Sequence, residues 1–233
     1  LRRSMEISRR IGDNYMVALG YNNLGAVAYT LGQVDRALEQ YRAALALRRR
    51  IGDSYGAAQT SSNIGEAYLR LGRYAEARRH LEEAARTFEA IQSEGELPEV
   101  YCLLAQVELA QEDPAAALEY ADRARRIAEA TGNPEWQGIA ERVLAEARIR
   151  RGESAQARRA LEASIALLDR AENPLELARS HEALGRLLLE EAGQEGRARE
   201  HLRRAVELFT AAGAEEEAEE VRRIAALPSP PPG

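Results

Sequence analysis

The sequence predicts an all-α fold, a row of antiparallel helix pairs in which each pair covers the apolar face of the next. Three observations predict it. Segments forty residues apart match along nearly the whole chain, helix formers (Ala, Leu, Glu, Arg) dominate, and strand signals are nearly absent. Hydrophobic residues make up 45% of the 233, but many are alanine and aromatics are only 5%. The helices are therefore expected to meet through small side chains rather than around a thick aromatic core.

The period is read directly. YNNLGAVAYTLG at 21–32 is followed at forty-residue steps by SSNIGEAYLRLG (61–72), YCLLAQVELAQE (101–112), ERVLAEARIRRG (141–152) and HEALGRLLLEEA (181–192). A companion series runs VDRALEQYRAAL from 34, YAEARRHLEEAA from 74, PAAALEYADRAR from 114 and SAQARRALEASI from 154. Its fifth copy, GRAREHLRRAVE from 196, carries its motif alanine at 198, one residue late, which places an insertion in the turn at 190–196.

Each element follows from that register. LRRSMEISRRIGD at the start matches YRAALALRRRIGD at 41–53, so 1–11 reads as the second helix of a truncated repeat, and the chain as part of a longer protein. Repeats are expected at 12–51, 52–91, 92–131, 132–171 and 172–212, each with two helices. First helices end near Gly32, Gly72 and Gly152, the residue type found just past a helix end. Asp113-Pro114, Asn133-Pro134 and Asn173-Pro174 each set a capping side chain before a proline suited to a first turn. Residues 213–227 read as a charged capping helix with Val221, Ile224 and Ala225 turned inwards, and PSPPPG at 228–233 as a disordered tail.

Composition narrows the function. A net charge of −6 argues against a dedicated nucleic-acid binder. All 32 cationic residues are arginine, which reads as the codon bias of a GC-rich bacterial genome rather than as phosphate recognition. No apolar run is long enough to span a bilayer and no signal peptide is present, so no membrane partner is expected. The single cysteine, Cys102, makes no internal disulfide, which fits a cytoplasmic setting.

These residues resemble the tetratricopeptide repeats. The first copy carries Tyr21, Leu24, Gly25, Ala37, Tyr41 and Ala44; the second Ile64, Gly65, Tyr68, Ala77, Leu81 and Ala84. The third keeps Tyr101, Leu104, Ala105, Ala117 and Ala124, the fourth Leu144, Ala145, Ala157 and Leu161, the fifth Leu184, Gly185, Ala198, Leu202 and Ala205. The forty-residue unit is similar to the long form found in kinesin light chains, Pins-type adaptors and bacterial regulators. The resemblance implies a right-handed superhelical solenoid whose first helices line a concave groove. Glycine inside a helix costs about 1 kcal/mol relative to alanine, so Gly25, Gly65 and Gly185 are expected where a second helix crosses too closely for a side chain.

No enzyme signature appears. His80, His181 and His201 show no metal-ligand spacing, the glycines form no phosphate loop, and no cofactor is expected. Cys102 reads as a small wall residue. Residues spaced three and four apart share a helix face. The groove candidates are therefore Asn22, Asn23 and Tyr29; Ser62, Asn63, Glu66 and Arg70; Gln106; Arg142, Glu146 and Arg150; and Arg179, Glu182 and Arg186. By resemblance, Asn23 and Asn63 would bond a peptide backbone; alternatively they bridge neighbouring repeats. Local ion pairs explain Arg142 with Glu146 and Glu182 with Arg186 as well as a ligand does. Of the clamp that binds chaperone tails, only Asn63 has a counterpart. The reading is a non-catalytic scaffold binding a peptide or partner protein, within a larger bacterial regulator. The alternative is a self-association module forming a homodimer; more remote is an enzyme or metal-dependent module.

Overall fold

Helices form where the forty-residue pattern places them. The computed structural model describes residues 7, 8 and 10–225, so the proline-rich tail and most of the first half-repeat lie outside the described residues. Among the described residues there is no strand, and eleven α-helices are delimited beyond the helical residues 7, 8 and 10. The chain divides into two compact units, 1–112 and 113–233.

Unit 1 holds α1 (Asn14–Thr30), α2 (Val34–Ile51), α3 (Ser54–Arg70), α4 (Tyr74–Ala90) and, after a 3₁₀ turn at Glu94–Glu96, α5 (Leu97–Ala110). Unit 2 holds α6 (Pro114–Ala130), α7 (Pro134–Arg150), α8 (Ser154–Arg170), α9 (Pro174–Leu189), α10 (Glu195–Ala211) and α11 (Glu215–Ala225). Within each unit every helix packs against the next in sequence.

Local chemistry sets the boundaries. The side chains of Asp113, Asn133 and Asn173 accept from the backbone N–H three residues on, at 3.0, 3.1 and 3.0 Å. Asp13 and Asp53 do the same for α1 and α3. Gly32, Gly72 and Gly152 stand at φ +72, +69 and +74°, the left-handed turn that ends a first helix. The α9–α10 link runs through residues 190–194, longer than the three-residue link of the other pairs, and absorbs the insertion seen in the sequence.

One start departs from the pattern. The register puts the third first-helix at 94, yet α5 begins at Leu97 after the 3₁₀ turn. Pro98 is the reason. Its ring clashes with the carbonyl four residues before it and it has no N–H to donate there, so the first turn cannot be α-helical.

Glycine marks the crossings. A Cβ on Gly25 would lie 2.5 Å from the Tyr41 ring, and one on Gly65 or Gly185 would lie 2.6 Å from Leu81 or Leu202. The carbonyls of Ala77 and Ala198, small residues of the second helices, are 3.2 Å from those same points. Gly138 repeats the device against Leu168, a contact outside the periodic motif. In unit 2 Ala145, Ala157, Leu161, Leu184, Leu188 and Ala198 form one buried cluster spanning four helices.

Candidate functional site

In unit 1 the first helices are α1, α3 and α5, and their polar side chains join neighbouring pairs. Asn22 is buried, and its Oδ1 accepts from Thr60 Oγ1 and from Asn63 Nδ2, both at 3.2 Å. Asn63 thus bridges repeats, whereas Asn23, next to Asn22 on α1, is exposed. Two turns on from Asn22, the Tyr29 hydroxyl donates to Glu66 at 3.1 Å. Arg70 donates to the Tyr29 carbonyl at 3.1 Å and lies over its ring, 5.0 Å from the centroid. Burial, then the charge of Glu66, pushes the Tyr29 phenol up to about 12. Tyr29 therefore stays a neutral donor at any physiological pH.

The α5 edge is acidic. Glu96 accepts from the Tyr55 hydroxyl at 2.7 Å. Glu99, partly buried next to it, is pushed up to about 7 by burial first and then by the like charges of Glu66 and Glu96. Gln106 is half-buried, and Cys102 is buried as the wall residue the sequence indicated. Ser62 is buried on the α3 face shared with Gln59 and Glu66, and its hydroxyl has no hydrogen-bond partner.

Unit 2 has a different character. Arg142 is buried on α7 and donates to Glu146 at 2.9 Å and to Glu176 of α9 at 2.5 Å. Burial by itself would lower its pKa, but the two carboxylates outweigh that and the net shift is upward. Glu176 also pairs with Arg179. Arg186 bonds Glu182 at 2.6 Å and Glu220 of α11 at 3.0 Å. Arg150 is exposed at the end of α7. The charges of this face are therefore paired with one another across neighbouring helices, and the i,i+4 pairs read from the sequence are in place.

Sequence spacing did not bring His181 and His201 together. They lie on α9 and α10 with their Nδ1 atoms 2.9 Å apart, so one ring donates and the other accepts. Burial lowers both, and His181, with the charges of His201 and Arg204 also against it, falls to about 4. The folded values lie below the unfolded value of about 6.5. The unfolded chain therefore takes up the extra protons, and stability falls as pH drops from about 6.5 towards 4. With allowance for screening at half-exposed rings, the pair should cost roughly 1–2 kcal/mol over that range. His181→Phe should flatten this part of the urea-midpoint-against-pH curve; an unchanged slope would remove the pair as its source.

Among the described residues, no three His, Cys, Asp or Glu side chains converge on a point that would hold a metal ion. None of the described helices is long and apolar enough to cross a membrane. Exposed apolar side chains, the feature a homodimer would use, include Ile7, Ile11, Tyr15, Met16, Val27 and Leu31.

Comparison with known proteins follows this geometry. The family model described as tetratricopeptide repeat matches residues 16–90 and 96–170. No curated protein sequence matches the chain. Among solved structures, a Rap protein complexed with competence and sporulation factor is similar with a TM-score of 0.80 at 13% identity, covering 88% of this chain and 57% of that one. A signal transduction ATPase with a tetratricopeptide repeat sensor from Pyrococcus horikoshii gives 0.73 at 16% identity, over 96% of this chain and 34% of that one. Kinesin light chain repeats of Podosopora anserina give 0.63 at 20% identity, over 84% and 95%. This chain thus spans little more than half of the Rap protein and a third of the ATPase. At these identities the likeness is one of fold.

Proposed function

The chain belongs to the tetratricopeptide-repeat family, and from that premise we propose that it is a non-catalytic scaffold whose first-helix faces bind an extended peptide or a segment of a partner protein. One observation carries the reading: in unit 1 polar side chains of α1 and α3 are held in place by bonds between the two helices. The Asn22–Thr60–Asn63 and Tyr29–Glu66–Arg70 sets fix their members before any ligand arrives. A preset surface loses less side-chain entropy on binding. Exposed Asn23 and Gln59 and half-buried Gln106 flank it, and an amide can donate and accept to a peptide backbone at once.

The repeats carrying this surface are assigned to 12–51, 52–91, 92–131, 132–171 and 172–212, with 213–227 as the capping helix. The Rap structure with a bound factor and the ATPase with a repeat sensor support a regulatory setting. A bacterial, cytoplasmic regulator without nucleic-acid contact through this region is the setting proposed.

The test is selection of peptides from a random display library on the intact chain. Asn23→Ala with Asn63→Ala should weaken a selected peptide by about tenfold or more, the loss of two hydrogen bonds. Binding that survives the double substitution removes these residues from the site. A library that yields no binder overturns the reading.

A further inference from the structure

Arg48 is a buried charge where later repeats keep an apolar side chain. It is 3% exposed near the end of α2, and the same place further along holds Phe88, Ala128, Leu168 and Phe209, each at most 1% exposed. Ion pairing does not account for it. Its one ion pair among the described residues, with Asp53, is 3.8 Å long. What the guanidinium holds instead is backbone: its Nη1 donates to the Gly56 carbonyl, and it reaches Gln59 Oε1 at 3.4 Å. Gly56 admits it, because a Cβ there would lie 2.5 Å from that nitrogen. A buried charge adds little stability over an apolar residue of similar bulk. What Arg48 does fix is the direction of the bonds beyond it.

Thr60, fully buried on α3, has its hydroxyl 2.9 Å from the Gly56 carbonyl and 3.2 Å from Asn22 Oδ1. A hydroxyl has one proton and serves only one of these acceptors, whereas a carbonyl has two lone pairs. Within α3 the Thr60 N–H takes one lone pair of Gly56, and Arg48 takes the other. The Thr60 proton is thereby sent to Asn22 Oδ1. That oxygen faces α3, so Asn63 bonds it through Nδ2, at 3.2 Å, and turns its own Oδ1 away. Without Arg48 the opposite arrangement is equally well bonded: Thr60 donates to Gly56, and Asn22 flips to donate to Thr60 and to Asn63 Oδ1. The two arrangements have one shape and differ in where the protons lie. Asn63 is half-buried, and its Oδ1 takes no bond among the described residues. The enclosed side-chain polar atoms left without a partner there are Ser62 Oγ and Arg142 Nε, so Asn63 Oδ1 is open to a ligand.

We propose that Arg48 is a positioning residue of the binding face: by filling the Gly56 carbonyl it turns the Asn63 side-chain oxygen outwards, so the ligand group met there is a backbone N–H of the bound peptide. The inference rests on the binding function proposed above and names the chemistry of one of its contacts. Arg48 touches no ligand itself. It acts through Thr60, Asn22 and Asn63, each joined to the next by a bond of 3.2 Å.

The experiment compares Arg48→Met with the wild-type chain by NMR of the asparagine side-chain amides, with no ligand added. Methionine suits a place that is apolar in the later repeats, so the variant should fold and melt no lower than the wild type. In the wild type the hydrogen-bonded, slowly exchanging NH2 proton should belong to Asn63; in Arg48→Met the bonded protons should belong to Asn22. An unchanged pattern overturns the role given to Arg48. The ligand arm uses a peptide selected on the intact chain and analogues in which one backbone N–H at a time is replaced by an ester oxygen. One ester should cost about fivefold in affinity on the wild type and nothing on Asn63→Ala. Arg48→Met should weaken the parent peptide about fivefold and add nothing in the Asn63→Ala background. Additive losses from the two substitutions would overturn the positioning role. Binding indifferent to every ester would overturn the N–H contact and leave the binding face standing. A library without binders would remove the binding function, while the amide pattern of the free chain still decides what Arg48 orients.

Discussion

Leu161→Ala should lower the stability of the chain by about 3–4 kcal/mol, measured as a shift of the urea midpoint at unchanged slope. Leu161 is fully buried on α8 and belongs to a cluster drawn from α7, α8, α9 and α10, where Ala145, Leu184, Leu188 and Ala198 are also buried almost completely. Removing its isopropyl group loses transfer energy and leaves a void that helices pinned at several crossings cannot close. In a repeat array each pair is held by its neighbours, so the loss is felt in two interfaces at once. An isosteric Leu161→Met, which keeps the volume, should cost less than about 1.5 kcal/mol. If the alanine variant costs no more than the methionine variant, α8 is not seated as described.

Glu176→Gln is the second substitution with a large expected effect, about 2–3 kcal/mol, below the roughly 3–5 for stripping a buried charge of its partner altogether. Glutamine keeps the shape but withdraws a charge that Arg142 and Arg179 both use. Arg142 is buried, its Nε has no partner, and its charge would then rest on Glu146 alone. The double substitution Arg142→Leu with Glu176→Leu should recover most of the loss, since apolar residues of similar bulk are often as stable as a buried ion pair. Thermal melts of the single and double variants decide the matter: a double variant no better than the single one would show that packing, not the charge, is responsible.

These two sites differ in how far the sequence reveals them. Leu161 and its partner positions Ala145 and Ala157 are visible as part of the forty-residue motif, because the same positions set Gly25 against Tyr41, Gly65 against Leu81 and Gly185 against Leu202. Arg142 is visible only as half of an i,i+4 pair with Glu146. Its tie to Glu176 joins residues 34 positions apart on successive first helices, and nothing in the spacing singles out Glu176 from Glu146 or Glu182. The same holds for His181 and His201, which occupy motif positions that look unrelated until α9 and α10 are packed.

By itself the sequence determined the helical content, the caps, the left-handed glycine ends, the crossings at Gly25, Gly65 and Gly185, and the family. Each is a local or nearest-neighbour property, and the repeat states it several times over. Tertiary structure decided which polar side chains are tied to one another and which are left without partners. Those outcomes depend on side chains from different helices meeting within a few ångströms, and a period of forty specifies the positions that face each other without specifying what stands there.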